Sequence, residues 1–379
     1  MDFGFSSEQE MLRQSARRFL SEQCPISLVR RMMADPTALD PALWTQLVEL
    51  GWTGLLIPEA YGGSGGSFLD LTVVLEQAGY ALMPGPFFTA VLLGTPALAA
   101  AGTPTQQAQL LPACAAGQSI VSWAIAEAPT ALYEPAAIQM RARADAGGWV
   151  MSGHKLMVWD AQVAQTLVVA ARSTAGQGQE GISLFLVPTQ TTGVTITPQP
   201  SIDSTRKLCA VTLNDVAVGE AALLGPRDGG WPVIRRSLEL ATAGLCAELV
   251  GVAQRALDLS VAYAKTRVQF GHPIGAFQAI KHKCVDMLMM VENARSLTYY
   301  ACWALAEQRP DAGAAVAMAK AYASDTAKNV TSEAIQIHGG IGFTWAHDIQ
   351  LFHRRALAGE ANFGNAPLHR EAVAKALSL

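Results

Sequence analysis

The spacing of apolar residues switches twice along this chain, and the switch limits its fold more than any single motif does. Up to about residue 117 apolar side chains recur at helical spacing, as in "ALWTQLVELGWTGL" and "FLDLTVVLEQAGYAL", with the turn-like "PEAYGGSGGS" between them. Ser7 and Glu10 have capping-box spacing ahead of Leu12, Ala16, Phe19 and Leu20, so the chain is expected to start as a helix. From 118 to 225 short β-rich runs take over: "GGWVMSGHKLMVW", "QTLVVAAR", "GISLFLVP", "GVTITPQP" and "LCAVTLNDVAV", separated by Gly, Pro, Asn and Asp. From Trp231 the helical period returns, and Phe277, Ile280, Cys284, Met287 and Val291 form one stripe along a long helix. The expected fold is mainly α with a middle β domain: a helical domain over 1–117, a β domain over 118–225 and a helical domain over 226–379. No internal repeat or low-complexity tract interrupts that order.

Half of the 379 residues are hydrophobic and 15% are charged, enough to bury a large core. The net charge is −4, from 27 basic and 31 acidic residues, and no basic cluster exceeds a pair, which argues against a nucleic-acid surface. Six cysteines lie scattered without C-x-x-C spacing, as expected of reduced thiols in a cytoplasmic protein rather than of disulfides or a zinc site. The opening "MDFGFSSEQEMLRQ" has acidic residues and no basic apolar run, so no signal peptide is expected. The apolar window "PFFTAVLLGTPALAAA" is short and holds Gly and Pro, so no membrane span is expected there.

Near the C-terminus "QIHGGIGFTW" sets Gly339, Gly340 and Gly342 within four residues, directly after a helical pattern. Glycines so clustered mark a left-handed turn or a close approach of backbone to another group. A dinucleotide fingerprint would need G-x-G-x-x-G between a strand and a helix, so a Rossmann site is excluded. Taken alone, the Gly-Gly pair reads as a helix C-cap. His338 and His347 have no acidic or cysteine partner at ligand spacing and read as structural, with no metal site.

Two long segments, "YAKTRVQFGHPIGAFQAIKH" at 263–282 and "QIHGGIGFTWAHDIQLFHRRA" at 336–356, resemble the acyl-CoA dehydrogenase family, and "LGWTGLLIPEAYGGSGGSFLDLTVVLEQAGYAL" resembles its N-terminal domain. The resemblance spans essentially the whole chain. It implies an N-terminal helical domain, a middle β domain and a C-terminal four-helix bundle. It also implies FAD, an acyl-CoA substrate oxidised to the 2,3-enoyl-CoA in lipid or steroid catabolism, and an electron acceptor such as an electron-transfer flavoprotein. Carried over residue by residue, the FAD contacts fall on Arg267, Phe270, Gln278, Gln336, Gly339 and Gly340, with the cofactor shared across a subunit interface. An arginine fork suits a pyrophosphate, and bare backbone admits a dinucleotide. Singly, Arg267 reads as a solvated charge and Gln278 as a polar rim residue; their joint spacing carries the cofactor reading.

The chain departs from the family where a carboxylate should remove the substrate α-proton. One branch has that glutamate in a Tyr-Glu-Gly-Thr turn, which aligns here with Phe363-Gly364-Asn365; another has it on the first bundle helix, at the position of Ala241. Glu360 is the candidate base that remains. Glu239 lies two residues from Ala241, an offset that turns a helical side chain by about 200°. Glu248 on the same helix reads as a buried partner for a basic group. In "WAIAEAPTALYEP" the middle domain keeps Glu127 but has Ala126 where the family has a hydroxyl. Three readings stay open: a competent dehydrogenase, a base-lacking partner in a heteromeric tetramer of the kind that acts on steroid side chains, and a flavin oxidase or monooxygenase on the same fold.

Overall fold

The computed structural model describes residues 6–128 and 133–379. The first residues of the N-terminal reading and part of "WAIAEAPTALYEP" therefore lie outside the described residues. In chain order the helices α1 (Ser7–Gln23), α2 (Ile26–Ala34), α3 (Pro41–Glu49), α4 (Phe68–Tyr80), α5 (Phe87–Leu92), α6 (Gly94–Ala101) and α7 (Pro104–Ala115) come first. Strands β1 (Val121–Ala124), β2 (Arg141–Asp145), β3 (Gly148–Trp159), β4 (Thr166–Arg172), β5 (Ile182–Pro188), β6 (Val194–Gln199), β7 (Leu208–Gly219) and β8 (Leu223–Leu224) follow. After them come α8 (Gly230–Thr266), the short β9 (Val268–Gln269) and β10 (His272–Pro273), then α9 (Gln278–Ala306), α10 (Ala312–His338), α11 (Ile349–Ala361) and α12 (Ala366–Ala376). The capping box that opens α1 is Ser6 with Gln9, one residue earlier than the Ser7–Glu10 pair: Ser6 Oγ accepts from Gln9 N, and Gln9 Oε1 accepts from Ser6 N. Two adjacent serines make that shift a matter of one residue of backbone geometry.

Two compact units emerge, one of Met1–Arg30, Phe68–Met83 and Thr242–Leu379, the other of Arg31–Ser67 and Pro84–Ala241. The second is built on an eight-stranded sheet of order β6-β7-β3-β2-β4-β5-β8, with β1 parallel to β4. "TLVVAAR" in β4 is buried throughout, as a continuous run of small and β-branched residues predicts for a strand covered on both faces. Edge strand β6 is half-exposed, and its polar residues suit an uncovered edge. Pairing of β3 with β7 slips between Lys155 and Val158, and Met157 there has a φ of 54°, so the strand bulges just before Trp159.

The first unit is helical. Helix α8 is long and apolar enough to cross a membrane by length and composition, but 83% of that window is buried inside the protein, which marks a core helix. It crosses α4 with backbones in contact: a Cβ on Gly251 would sit 1.9 Å from the Glu76 carbonyl oxygen, and one on Gly79 would sit 2.1 Å from that of Glu248. Helix α10 packs against α9, α11 and α12, and small residues, among them Ala315, Ala319, Ala323 and Ala327, are buried along it. The apolar stripe of α9 is buried only from Met287 and Val291 onward; Phe277 lies at its exposed start, and Val285, Leu288 and Met289 are exposed beside it. Periodicity reports that a face is apolar, and among the described residues the first half of that one is only partly covered.

Candidate cofactor and catalytic site

The residues singled out for a cofactor lie on three segments tied together in the helical unit. At the end of α8, Arg267 opens a tight hairpin in which His272 pairs with Gln269, leaving Phe270 and Gly271 as the two-residue loop. Both have positive φ, 52° and 78°, as a primed hairpin turn requires. The Phe270 ring is 89% exposed and meets Phe277 edge-on at 6.1 Å. Ile274 N bonds the Arg267 carbonyl, which sets Gln278 at the start of α9 beside the hairpin's base. The third segment is the end of α10, with Gln336 in its last turn. It is held to α8 by the His338 ring, stacked 4.5 Å from Tyr263.

His338 Nδ1 donates to the Ala334 carbonyl at 2.7 Å, and burial, chiefly, lowers its proton affinity, so the ring is a neutral wedge. His347 lies 4.6 Å from it. The three glycines of the turn differ. Gly339 has φ 62° and ψ −144°, a conformation that side chains disfavour. A Cβ on Gly342 would come 2.8 Å from the Ile335 carbonyl, so internal packing explains it. Among the described residues nothing lies within 4 Å of such a Cβ on Gly340, and its φ is not positive, so none of them calls for a glycine there. Among the described residues the side chains of Arg267, Gln278 and Gln336 make no hydrogen bond, and all three are exposed. A guanidinium fork, two carboxamides and bare backbone thus remain available to an outside ligand.

The turn between α11 and α12 holds Phe363, 5% exposed with φ 57°, an outlier for a bulky residue. What stabilises it is Lys320, a residue that sequence reasoning missed. Its ammonium is fully buried, with the carbonyls of Gly359, Glu360 and Gly364 and Ser324 Oγ at 2.8–3.0 Å, four acceptors sharing its three N–H groups. Burial pulls its pKa down to about 8. His369 Nε2 donates to the Phe363 carbonyl at 2.9 Å, and burial lowers that ring to about 4. The signal for Lys320 was a lone cation on the alanine-rich face of α10. Glu360 is half-buried and its carboxylate has no hydrogen bond among the described residues.

The other carboxylates are placed elsewhere. Ala241 is fully buried on α8, while Glu239 pairs with Arg236 at 3.7 Å and Glu248 is buried on the same helix. In the β unit Glu127 accepts from Lys155 Nζ at 2.6 Å and from the amides of Gln139 and Met140, so its oxygens are committed to holding β1 to its neighbours. Lys155 is fully buried and drawn down to about 8 by desolvation, with Glu127 opposing the shift. Ala126 is buried, and near it the indole Nε1 of Trp123 is buried with no acceptor among the described residues.

Three family models match the chain in succession: the acyl-CoA dehydrogenase N-terminal domain over residues 6–118, the middle domain over 122–216 and the C-terminal domain over 228–378. A probable acyl-CoA dehydrogenase, YngJ of Bacillus subtilis, is 33% identical over 385 residues that span all of both chains. Among solved structures, butyryl-CoA dehydrogenase of Megasphaera elsdenii is similar at 27% identity and a TM-score of 0.92, covering all of both chains. A chain of the ChsE4-ChsE5 complex of Mycobacterium tuberculosis is similar at 26% identity and a TM-score of 0.90, over 100% of this chain and 99% of that one.

Proposed function

This chain belongs to the acyl-CoA dehydrogenase family, and we propose that it is a FAD-dependent oxidoreductase that converts an acyl-CoA thioester to its 2,3-enoyl-CoA. The observation that carries this reading is Gly340: backbone with open space beside it, next to Gly339, whose angles suit glycine alone, and in the same helical unit as the exposed, unengaged Arg267, Gln278 and Gln336. That set fits a dinucleotide. Arg267 would meet the pyrophosphate as a two-pronged donor, and the two carboxamides and the bare 339–340 amides would take polar edges of the cofactor. FAD, when bound, supplies the hydride acceptor.

The chain's own tasks are to bind the thioester, exclude water and hold a base beside the α-carbon. Glu360 is the carboxylate we assign to the proton, in a turn whose backbone Lys320 fixes. Val285, Met289, Phe270, Phe343 and Trp345 are exposed, a surface suited to burial against another subunit, so the working form in this reading is a homo- or hetero-oligomer. A cytoplasmic enzyme of lipid or steroid catabolism that passes electrons to an electron-transfer flavoprotein is consistent with this assignment.

A second reading is favoured by one specific pair of residues. Phe363 and Ala241, at the two positions where the family has its base, are both apolar and buried, as in a partner subunit that has given up proton abstraction. Anaerobic titration of the purified chain with acyl-CoAs, from butyryl to steroid-side-chain thioesters, separates the two. Bleaching of the flavin that Glu360→Gln abolishes supports the first reading. A flavin that stays oxidised until a glutamate-bearing relative is co-purified supports the second. Rapid reoxidation by oxygen with substrate bound would move the chain to the oxidase class.

A further inference from the structure

A cavity of about 180 Å³ in the helical unit is lined from α1, α4, α8 and α11 by residues outside the candidate cofactor and catalytic site. Neither Arg17 nor Arg255 in its lining has an ion-pair partner among the described residues. Arg17 gives Nε to Gln77 Oε1 at 2.5 Å and lies 3.3 Å over the Tyr80 ring, and among the described residues it has no carboxylate at ion-pair distance. Arg255 gives one nitrogen to the Tyr80 hydroxyl at 3.1 Å, sits 4.9 Å from the same ring, and likewise has no ion-pair partner. The carboxylate in the lining, Asp348, is already taken by two nitrogens of Arg30 at 2.7 and 2.9 Å. Asp258, three residues on from Arg255 on α8, accepts from the neutral donors Tyr80 Oη and Gln254 Nε2, and its charge, with that of Glu76, favours the Arg17 cation without reaching ion-pair distance. Gln77 is 1% exposed, and its Nε2 has no acceptor among the described residues.

Two guanidinium groups and a buried amide therefore line one cavity with N–H groups unmatched, a donor set whose missing complement is an anion with several lone pairs. The remaining wall includes Leu20, Leu259 and Phe352, which a bare inorganic ion would leave without contacts. We propose that this cavity is a separate binding site for a small organic carboxylate, its charged end between Arg17 and Arg255 and its short hydrocarbon tail against the apolar wall. The volume admits an acid of a few carbons. The proposal stands independently of the flavin and base assignments.

Calorimetric titration of the full chain with butyrate, butyramide and inorganic phosphate tests it. Butyrate should bind, while butyramide, of similar shape but uncharged, should not, and phosphate should bind at least about tenfold more weakly. Arg17→Met and Arg255→Met, each checked by circular dichroism for an unchanged fold, should raise the butyrate Kd about tenfold or more, the loss expected for one charge-assisted hydrogen bond. Two variants guard against one failing to fold. Equal binding of butyrate and butyramide, no binding of butyrate, or butyrate binding that survives both substitutions would overturn the site. Phosphate binding as tight as butyrate would overturn its assignment to an organic acid.

Discussion

Two glycine pairs in the helical unit use the same missing side chain for opposite ends. At Gly79 and Gly251 the space beside the backbone is filled by another helix, with carbonyl oxygens 2.1 and 1.9 Å from where a Cβ would stand. At Gly339 and Gly340 nothing lies within 4 Å. The first pair is explained by the fold. The second is explained by the fold only at Gly339, through its backbone angles, which is why Gly340 points to a ligand. The lesson is that a glycine's function shows in what its absent Cβ would meet, which neither composition nor motif spacing reports.

The sharpest way to break that contrast is to fill both spaces. Gly251→Ala forces α4 and α8 apart along rigid backbone, and overpacking of this kind is expected to cost about 3 kcal/mol or more. Chemical denaturation of the purified variant, or its failure to accumulate in soluble form, checks the effect. A variant as stable as the parent would mean that the crossing is looser than the distances imply.

Lys320 belongs with the inward-facing kind, since it too satisfies backbone that packing has isolated from water. Lys320→Met keeps the length and leaves three carbonyls short of a donor, at a cost of about 1–3 kcal/mol. The pH dependence separates this from a simple packing loss. The folded-state pKa of Lys320, about 8, lies below its ordinary 10.5, so above pH 8 the unfolded chain binds more protons at this site than the folded one. Its contribution to stability therefore rises with pH from about 8 toward 10.5, by up to about 1.4 kcal/mol per unit. The buried thiols, raised from their ordinary value by burial, lower the stability of both proteins alike over this range, so between pH 8 and 9 the parent should gain on Lys320→Met in urea midpoints. Parallel curves would mean that the ammonium is not strained by burial.

Much of this was legible beforehand. The five β-rich runs are strands because alternation and turn residues act locally. What escaped was set by distant partners. Lys320 meets carbonyls about forty positions away. The first half of the α9 stripe is apolar yet largely exposed. Gln77 and Arg17, sixty residues apart, meet only because α1 and α4 lie together in the helical unit. Spacing identifies a face but not what covers it.

The smallest effect on folding is the most informative for function. Gly339→Ala puts a side chain at φ 62° and should cost about 1–3 kcal/mol of strain, so a loss of flavin there is ambiguous. Gly340→Ala has neither strain nor a clash inside the chain, and its stability should stay within about 0.5 kcal/mol of the parent. If backbone at 340 is the surface against which the dinucleotide lies, the same substitution should lower FAD retention on gel filtration by about tenfold, because the methyl occupies ligand space. Unchanged retention with unchanged stability would leave Gly340 without a role on either side of the comparison and would remove the observation on which the cofactor assignment chiefly stands.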